Sequence, residues 1–203
     1  MIWIKLGLLL TAFLYAGFIP YIIKKSASHL DIDLKKQTLS FISNKKLFGI
    51  KYRRGYTRLL FFTAILHYIY FFLLTKIYDL GENEQIFTYL DYSLLFITLL
   101  AFVPHNIQPY SFRNLRPTLQ RLIHNILAIF VFLSLPTLIF IFQFSAMEHS
   151  VLLGISGLTI SAGTVLVTLV SLFLNGINGF TELLFINGIS FWTLLVTSLT
   201  LIL

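Results

Sequence analysis

The chain contains no cysteine, only five prolines and few charges, and each shortage narrows what the protein can be. Without cysteine, disulfides, thiolate metal sites, iron–sulfur clusters and cysteine nucleophiles are excluded. Charged residues make up 11% of the chain, against about a quarter in soluble domains. Because 57% of the residues are hydrophobic, a water-soluble protein would need a much larger charged surface than this one has. The composition therefore indicates a membrane protein.

Six long apolar runs predict an all-α integral membrane protein, a bundle of six transmembrane helices forming a single domain over residues 1–203. Each run is long enough to cross a hydrocarbon core of about 30 Å at about 1.5 Å per residue. No internal repeat or Pro/Ser-rich linker divides the chain. The predicted spans cover residues 2–23, 59–78, 86–103, 122–144, 151–174 and 181–203.

The basic residues predict the orientation of this bundle. Thirteen of the fifteen Lys and Arg residues lie in two segments between apolar runs, ten at 24–58 and three at 113–121. Since cytoplasmic loops retain Lys and Arg, both segments are expected in the cytoplasm and both termini outside. Only Lys5 and Lys76 fall on the predicted outer side. The expected location is the cell membrane, as a multi-pass protein of a bacterial inner membrane.

The basic loop at 24–58 mixes lysines with apolar residues and allows two interpretations. Its apolar groups can dip into the membrane surface while the lysines stay at the lipid headgroups. Alternatively, the segment is a docking surface for a cytoplasmic protein partner. The formal net charge of +7 does not require a nucleic-acid partner, because basic residues collect beside membrane spans and attract anionic lipids. Membrane lipids are the expected partners, and no nucleic acid is predicted.

A stripe of small residues marks the fifth run. Such residues let neighbouring helix backbones approach and let hydroxyl groups bond across helices. The stripe therefore predicts a packing face inside the bundle, with a pore lining formed by a homo-oligomer as the functional alternative. Its members recur every three or four positions and are Gly154, Gly157, Ser161, Thr164, Thr168 and Ser171.

Polar side chains within the runs are the candidate functional residues, because ionisable groups are costly inside a membrane. Thr63, His67 and Tyr70 share one face of the second run, and Asp91 lies in the outer part of the third. A second group collects near the predicted inner leaflet. It is either a binding site at the cytoplasmic mouth of the bundle or a set of groups that satisfy one another at helix ends. Its members are His105, Arg113, Arg116, Arg121, His124, Asn125 and Glu182.

The histidines do not predict a cofactor. His67 and His124 differ by roughly 8 Å in depth, at about 1.5 Å per residue, so they do not suit one haem. A zinc-dependent intramembrane hydrolase would need several ligands at one level, which His105, His124 and Glu182 could supply without any recognisable motif. Phosphate loops, nucleophile elbows and metalloprotease motifs are absent from the sequence. We therefore predict no cofactor, no metal site and no catalytic residue.

Two stretches resemble small six-helix bacterial membrane proteins of unknown function, which are similar in layout to the DRAM/Frag group of eukaryotic membrane proteins. The first begins at Arg113 and carries Arg121, His124, Asn125 and Ala128 at the start of the fourth span. The second, residues 178–182, is similar to the Gly-x-x-Glu start of the last span in that group. The long basic loop departs from the family pattern. The resemblance implies a six-helix fold and no particular activity.

Three functions are compatible with these features. The leading hypothesis is a non-enzymatic inner-membrane protein that interacts with lipid or serves as the membrane subunit of a larger complex. The second is a membrane-perturbing effector or channel that opens by oligomerisation through the small-residue faces. The third is an intramembrane enzyme that modifies a lipid at the inner group of polar residues.

Overall fold

Six long helices make up most of the chain in a computed structural model that describes residues 2–103, 105–106, 111 and 113–203. All six are long and apolar enough to cross a membrane. A short 3-10 helix, Leu39–Ser43, lies between the first two, and no strand occurs in the described part of the chain. The helices are α1 (Ile2–His29), α2 (Lys45–Ile77), α3 (Glu84–Phe102), α4 (Leu115–Met147), α5 (Val151–Asn175) and α6 (Gly179–Ile202).

Several helices extend beyond the predicted spans, because polar turns continue the apolar runs. α2 begins at Lys45 rather than near residue 59, and α4 begins at Leu115 rather than near residue 122. Much of the predicted basic loop at 24–58 is therefore helical, and the connection between α1 and α2 is only residues 30–44. Gly49 interrupts the start of α2 with a φ of 84°, a conformation that side chains with a Cβ rarely adopt.

Side-chain caps explain where the helices begin. Asn44, Asn83, Ser150 and Asn178 precede α2, α3, α5 and α6, and each accepts a hydrogen bond from a backbone N–H of the first turn. These N–H groups have no partner within the helix, so a short polar side chain at this position stabilises the helix. α1 contains a π-helical segment, Phe13–Phe18, which buries Tyr15 and Ala16.

Consecutive helices pack side by side, and α1 also packs against α6, which closes the six into a ring. Tyr70 on α2 reaches across to α6, where its hydroxyl group donates to the Thr193 carbonyl at 3.0 Å and lies 3.1 Å from the Thr197 hydroxyl. The ring of Phe71 stacks on Trp192 with the centroids 5.6 Å apart. Phe142 of α4 meets both rings edge-on. An aromatic core thus ties three of the helices together.

The small-residue stripe of α5 is a packing face, as predicted. Gly154, Gly157, Ser161, Thr168 and Ser171 are all buried. A Cβ on Gly157 would collide with the Gln143 amide of α4. In the amide orientation that satisfies both of its ends, that group bridges two neighbours: its nitrogen donates to the Leu153 carbonyl at 3.0 Å, and its oxygen accepts from the Trp192 indole at 2.8 Å.

The two ends of the bundle differ in their connections. At one end, called the basic end below, residues 30–44 contact both His105 and the start of α6. At the opposite end, the Tyr78 and Thr200 hydroxyls are 2.7 Å apart, and the Asn83 amide donates to the Ser145 hydroxyl at 3.0 Å. The side of the membrane on which each end lies stays a prediction from the charges.

Candidate functional site

A chamber of about 150 Å³ lies inside the bundle near its basic end. Its walls come from α1, α2, α3, α4 and α6, and Leu39 and Ser40 of the connection also line it. The apolar lining residues are Ile19, Ile23, Leu39, Leu59, Leu60, Ile97, Leu100, Ala128, Val131, Phe132, Leu135, Phe185, Ile186 and Ile189. The lining residues that carry a polar atom are Tyr15, Ser40, Tyr56, Thr63, His124, Glu182 and Ser190.

Glu182 joins the chamber to the connection that covers it. Its carboxylate oxygen Oε2 accepts a hydrogen bond from the backbone N–H of Leu39 at 2.5 Å. In the sequence, Arg113, Arg116 and Arg121 lie at a depth where they could either pair with Glu182 or bind a lipid phosphate. Among the described residues Glu182 forms no ion pair, and the lipid-phosphate alternative stays a prediction. The backbone amide takes the place of the cation because residues 30–44 fold inward over the start of α6.

The first turn of α6 is tied to the same connection by backbone hydrogen bonds. Gly179 N–H donates to the Gln37 carbonyl at 2.7 Å, and Phe180 N–H donates to the Leu34 carbonyl at 2.9 Å. A Cβ on Gly179 would lie 2.8 Å from the Gln37 oxygen, so only glycine permits this close approach. The connection therefore satisfies amides that a helix start leaves open.

Apolar residues of the connection also point into the protein. Ile32, Leu39 and Ile42 are buried in the hydrophobic core. These three pack within the protein and do not dip into a membrane surface, whereas Leu47 and Ile50 of the same segment are exposed. For that part of the segment the membrane-surface interpretation stays a prediction. The lysines Lys35, Lys36, Lys45 and Lys46 remain exposed, and a cytoplasmic partner at 24–58 stays a prediction.

His124 is held against the end of α3. Its Nδ1 lies 2.6 Å from the Val103 carbonyl oxygen, and the residue is 3% exposed. Because a carbonyl can only accept, Nδ1 carries the proton and Nε2 is the acceptor nitrogen of the neutral ring. His124 thus presents a ring with a fixed tautomer to the chamber.

His105 lies next to His124 with the ring centroids 5.1 Å apart. Its backbone N–H donates to the Ser43 hydroxyl at 3.1 Å, which links it to the connection. Burial, together with the neighbouring His124 and Arg121, lowers the pKa of His105 from 6.5 to about 4. The ring is therefore neutral at physiological pH.

The structure brings together only part of the predicted inner group. His124 and Glu182 line the chamber, and His105 contacts His124. Arg121 and Asn125 are half-buried on the same part of α4, although neither lines the chamber. Arg113 and Arg116 are exposed and do not line it either.

The polar residues predicted deeper in the membrane, Thr63, His67, Tyr70 and Asp91, do not form one site. Thr63 lines the chamber, while Tyr70 belongs to the aromatic core. His67 is 1% exposed, with its ring 5.8 Å from that of Tyr15 and 4.9 Å from that of Phe71. Neither ring nitrogen of His67 has a hydrogen-bond partner among the described residues. Asp91 is exposed on α3 and joins neither group.

Sequence reasoning missed Tyr15, Ser40, Tyr56 and Ser190. Tyr56 could have been found, because it lies seven residues before Thr63 and so continues the face that Thr63, His67 and Tyr70 share. It was assigned instead to a basic loop. Ser40 and Tyr15 gave no comparable signal, since their place depends on how the connection and the π-helical segment fold.

Comparisons with protein-family models, with curated proteins and with solved structures find no match to this chain. The resemblance to the DRAM/Frag layout stays a prediction. Among the described residues, no group of three or more His, Asp or Glu side chains is arranged to hold a metal ion.

Proposed function

We propose that this protein is a non-enzymatic multi-pass membrane protein that holds an amphipathic lipid in its chamber. The observation that carries the proposal is one cavity with mostly apolar walls and a polar group at its basic end. Small-molecule sites in proteins combine these features, with apolar walls for affinity and a few polar groups for orientation.

The shape of the chamber supports a chain-like ligand. On α4 the lining residues run from His124 to Leu135, and on α6 from Glu182 to Ser190. These stretches span roughly 16 Å on α4 and roughly 12 Å on α6, at a rise of about 1.5 Å per residue. The apolar part of this lining favours an apolar group over water. A segment of acyl chain suits it.

The polar end supports a headgroup that donates hydrogen bonds. Glu182 contributes carboxylate oxygens and His124 contributes an acceptor nitrogen, while the Tyr56 hydroxyl can donate or accept. Glycerol hydroxyls and amines are lipid groups that would satisfy such acceptors. Phosphate, which only accepts when ionised, would not be matched at this end of the chamber.

The proposal places the protein in a bacterial inner membrane, with residues 30–44 on the cytoplasmic side, because basic residues collect in that segment.

A second candidate function is that of an enzyme that modifies this lipid. A carboxylate, an imidazole and a phenol line one chamber, and these are the groups that general acid–base catalysis uses.

Quenching of tryptophan fluorescence tests lipid binding. The chain has two tryptophans, and replacing the exposed Trp3 by Phe leaves only Trp192, which is 1% exposed and one turn from the chamber residue Ile189. Phosphatidylglycerol with brominated acyl chains should quench Trp192 saturably when added to the purified protein in detergent. Ala128→Phe, which fills the chamber, should abolish the saturable quenching.

Ala162→Phe is the matched control, because Ala162 is exposed on α5 and lines no part of the chamber. Ser190→Leu is a second chamber variant in case Ala128→Phe does not fold. If folded chamber variants are quenched as strongly as Ala162→Phe, lipid does not occupy the chamber. Recovery of a chemically altered lipid from the wild type would favour the enzyme.

A further inference from the structure

A second cavity, of about 550 Å³, lies at the basic end between α1 and α2. We call it the basic groove. Ile22, Ile23 and Ser26 line it from α1, and Lys51, Arg54 and Arg58 are among the residues that line it from α2. The groove thus combines an apolar wall with a strongly basic one.

The three basic residues follow one another at intervals of three and four along α2, so they form a row on one face of the helix. In the described part of the chain, none of them makes an ion pair with a carboxylate. All three are exposed. Their charge is therefore available to an external anion, and phosphate is one of the anions that Arg binds through two parallel hydrogen bonds.

The basic groove and the chamber are neighbours. Ile23, Tyr56 and Leu59 line both cavities. These three residues form the wall between the two cavities, so an acyl chain that joins the groove to the chamber passes beside them, between α1 and α2. Gly55 also lines the groove, and a Cβ placed there would meet no atom within 4 Å, so the groove is open at this position.

We propose that the basic groove binds the phosphate of an anionic glycerophospholipid whose acyl chain lies in the chamber. This inference rests on the proposed function and adds the lipid class and the route of entry. A membrane lipid suits the site better than a soluble phosphate because Ile22, Ile42 and Ile50 line the groove beside the basic residues. The groove selects the headgroup, and the chamber accepts the chain.

Binding of two lipids that differ in headgroup charge tests the proposal. The purified, delipidated protein is titrated with dioleoyl phosphatidylglycerol or dioleoyl phosphatidylcholine, and native mass spectrometry measures the bound fraction. The wild type should prefer phosphatidylglycerol by about fivefold, since a basic residue near an anionic lipid contributes about 1 kcal/mol. The double variant Arg54→Gln, Arg58→Gln should lose that preference.

Arg53→Gln is the matched control, because Arg53 lies on the same turn of α2 but does not line the groove. It should keep the preference. Where the double variant does not fold, the single variants Arg54→Gln and Arg58→Gln are compared, and each should lower the preference. If the groove variants fold and still prefer phosphatidylglycerol as strongly as the wild type does, the proposal is wrong.

Two further binding measurements distinguish a membrane lipid from a soluble phosphate, and the role of the groove from that of the chamber. Glycerol 3-phosphate should not displace phosphatidylglycerol, whereas efficient displacement would make the groove a site for soluble phosphates and overturn the lipid assignment. Ala128→Phe should weaken binding of both lipids. If it does not, the chamber function fails, independently of what the arginine variants do to headgroup preference.

Discussion

At the scale of single residues, hydrogen bonds to backbone groups position the polar residues of the chamber. Glu182 accepts from the Leu39 amide, and His124 donates to the Val103 carbonyl. A carboxylate or an imidazole at the edge of a hydrocarbon layer requires such a partner. Because the partners are backbone groups of two different connections, the position of each side chain depends on how those connections fold.

His105 gives a residue-scale prediction about pH. Its pKa is lowered to about 4 from 6.5, so between these values the unfolded chain binds a proton that the folded protein excludes. Stability should therefore fall as the pH is lowered through this window, and it should fall less in His105→Asn. Melting temperatures in detergent across the window measure the difference.

His149→Asn is the control for this experiment, because it replaces an exposed histidine at the opposite end of the bundle. Its melting curve should follow that of the wild type at each pH. Equal acid sensitivity of wild type and His105→Asn would show that His105 does not contribute to the pH dependence.

At the scale of elements, α5 supports the bundle without forming part of the chamber. None of its residues lines the cavity. Its buried stripe packs on α4 and α6, where the Ser171 and Thr181 hydroxyls are 2.9 Å apart. Small residues at such an interface allow close contact between backbones. The stripe is used for packing here and does not line the cavity.

Two glycines of α5 provide a matched pair of variants. Gly157→Ala should destabilise the protein by about 1–3 kcal/mol, because the added Cβ displaces the buried Gln143 amide from both of its partners. Gly163→Ala should be neutral or stabilising by up to about 1 kcal/mol, since a Cβ there meets no atom within 4 Å. Unfolding in detergent measures both, and equal stability of the two variants would contradict the packing argument.

At the scale of the whole molecule, the closure of six helices into a ring creates the space of the chamber. α1 completes the ring by packing against both α2 and α6, and the connection 30–44 covers the basic end. The resulting chamber lies within the spans, so a lipid could enter from the membrane between two helices. The orientation of the ring decides which leaflet supplies that lipid.

Single cysteines test the orientation, because the natural chain contains none. Lys36 is suitable at the basic end, with a side chain that is 83% exposed, and Glu82 is exposed at the opposite end. In intact cells an impermeant thiol reagent should label Glu82→Cys, and it should label Lys36→Cys only after permeabilisation. The reverse pattern would mean that the basic end faces outward.

The amino-acid sequence is sufficient to predict six helices, because long apolar runs have few stable alternatives to a membrane-spanning helix. It also determined the buried face of α5, since small residues at helical spacing lie on one side. Helix ends were less predictable. The polar turns that extend α2 and α4 contain no apolar run by which the sequence could reveal them. The start of α2 is nevertheless marked by its capping residue, Asn44.

Which polar residues meet depends on how the helices and their connections pack. Glu182 and His124 were expected at one level, and they line one chamber, but the partner of Glu182 is the Leu39 amide rather than an arginine. Depth along a helix can be read from residue spacing, whereas lateral neighbours depend on the order of helices in the ring. The inward fold of residues 30–44 depends on hydrogen bonds to Asn178 and Glu182 at the start of α6, which lie more than a hundred residues later in the chain.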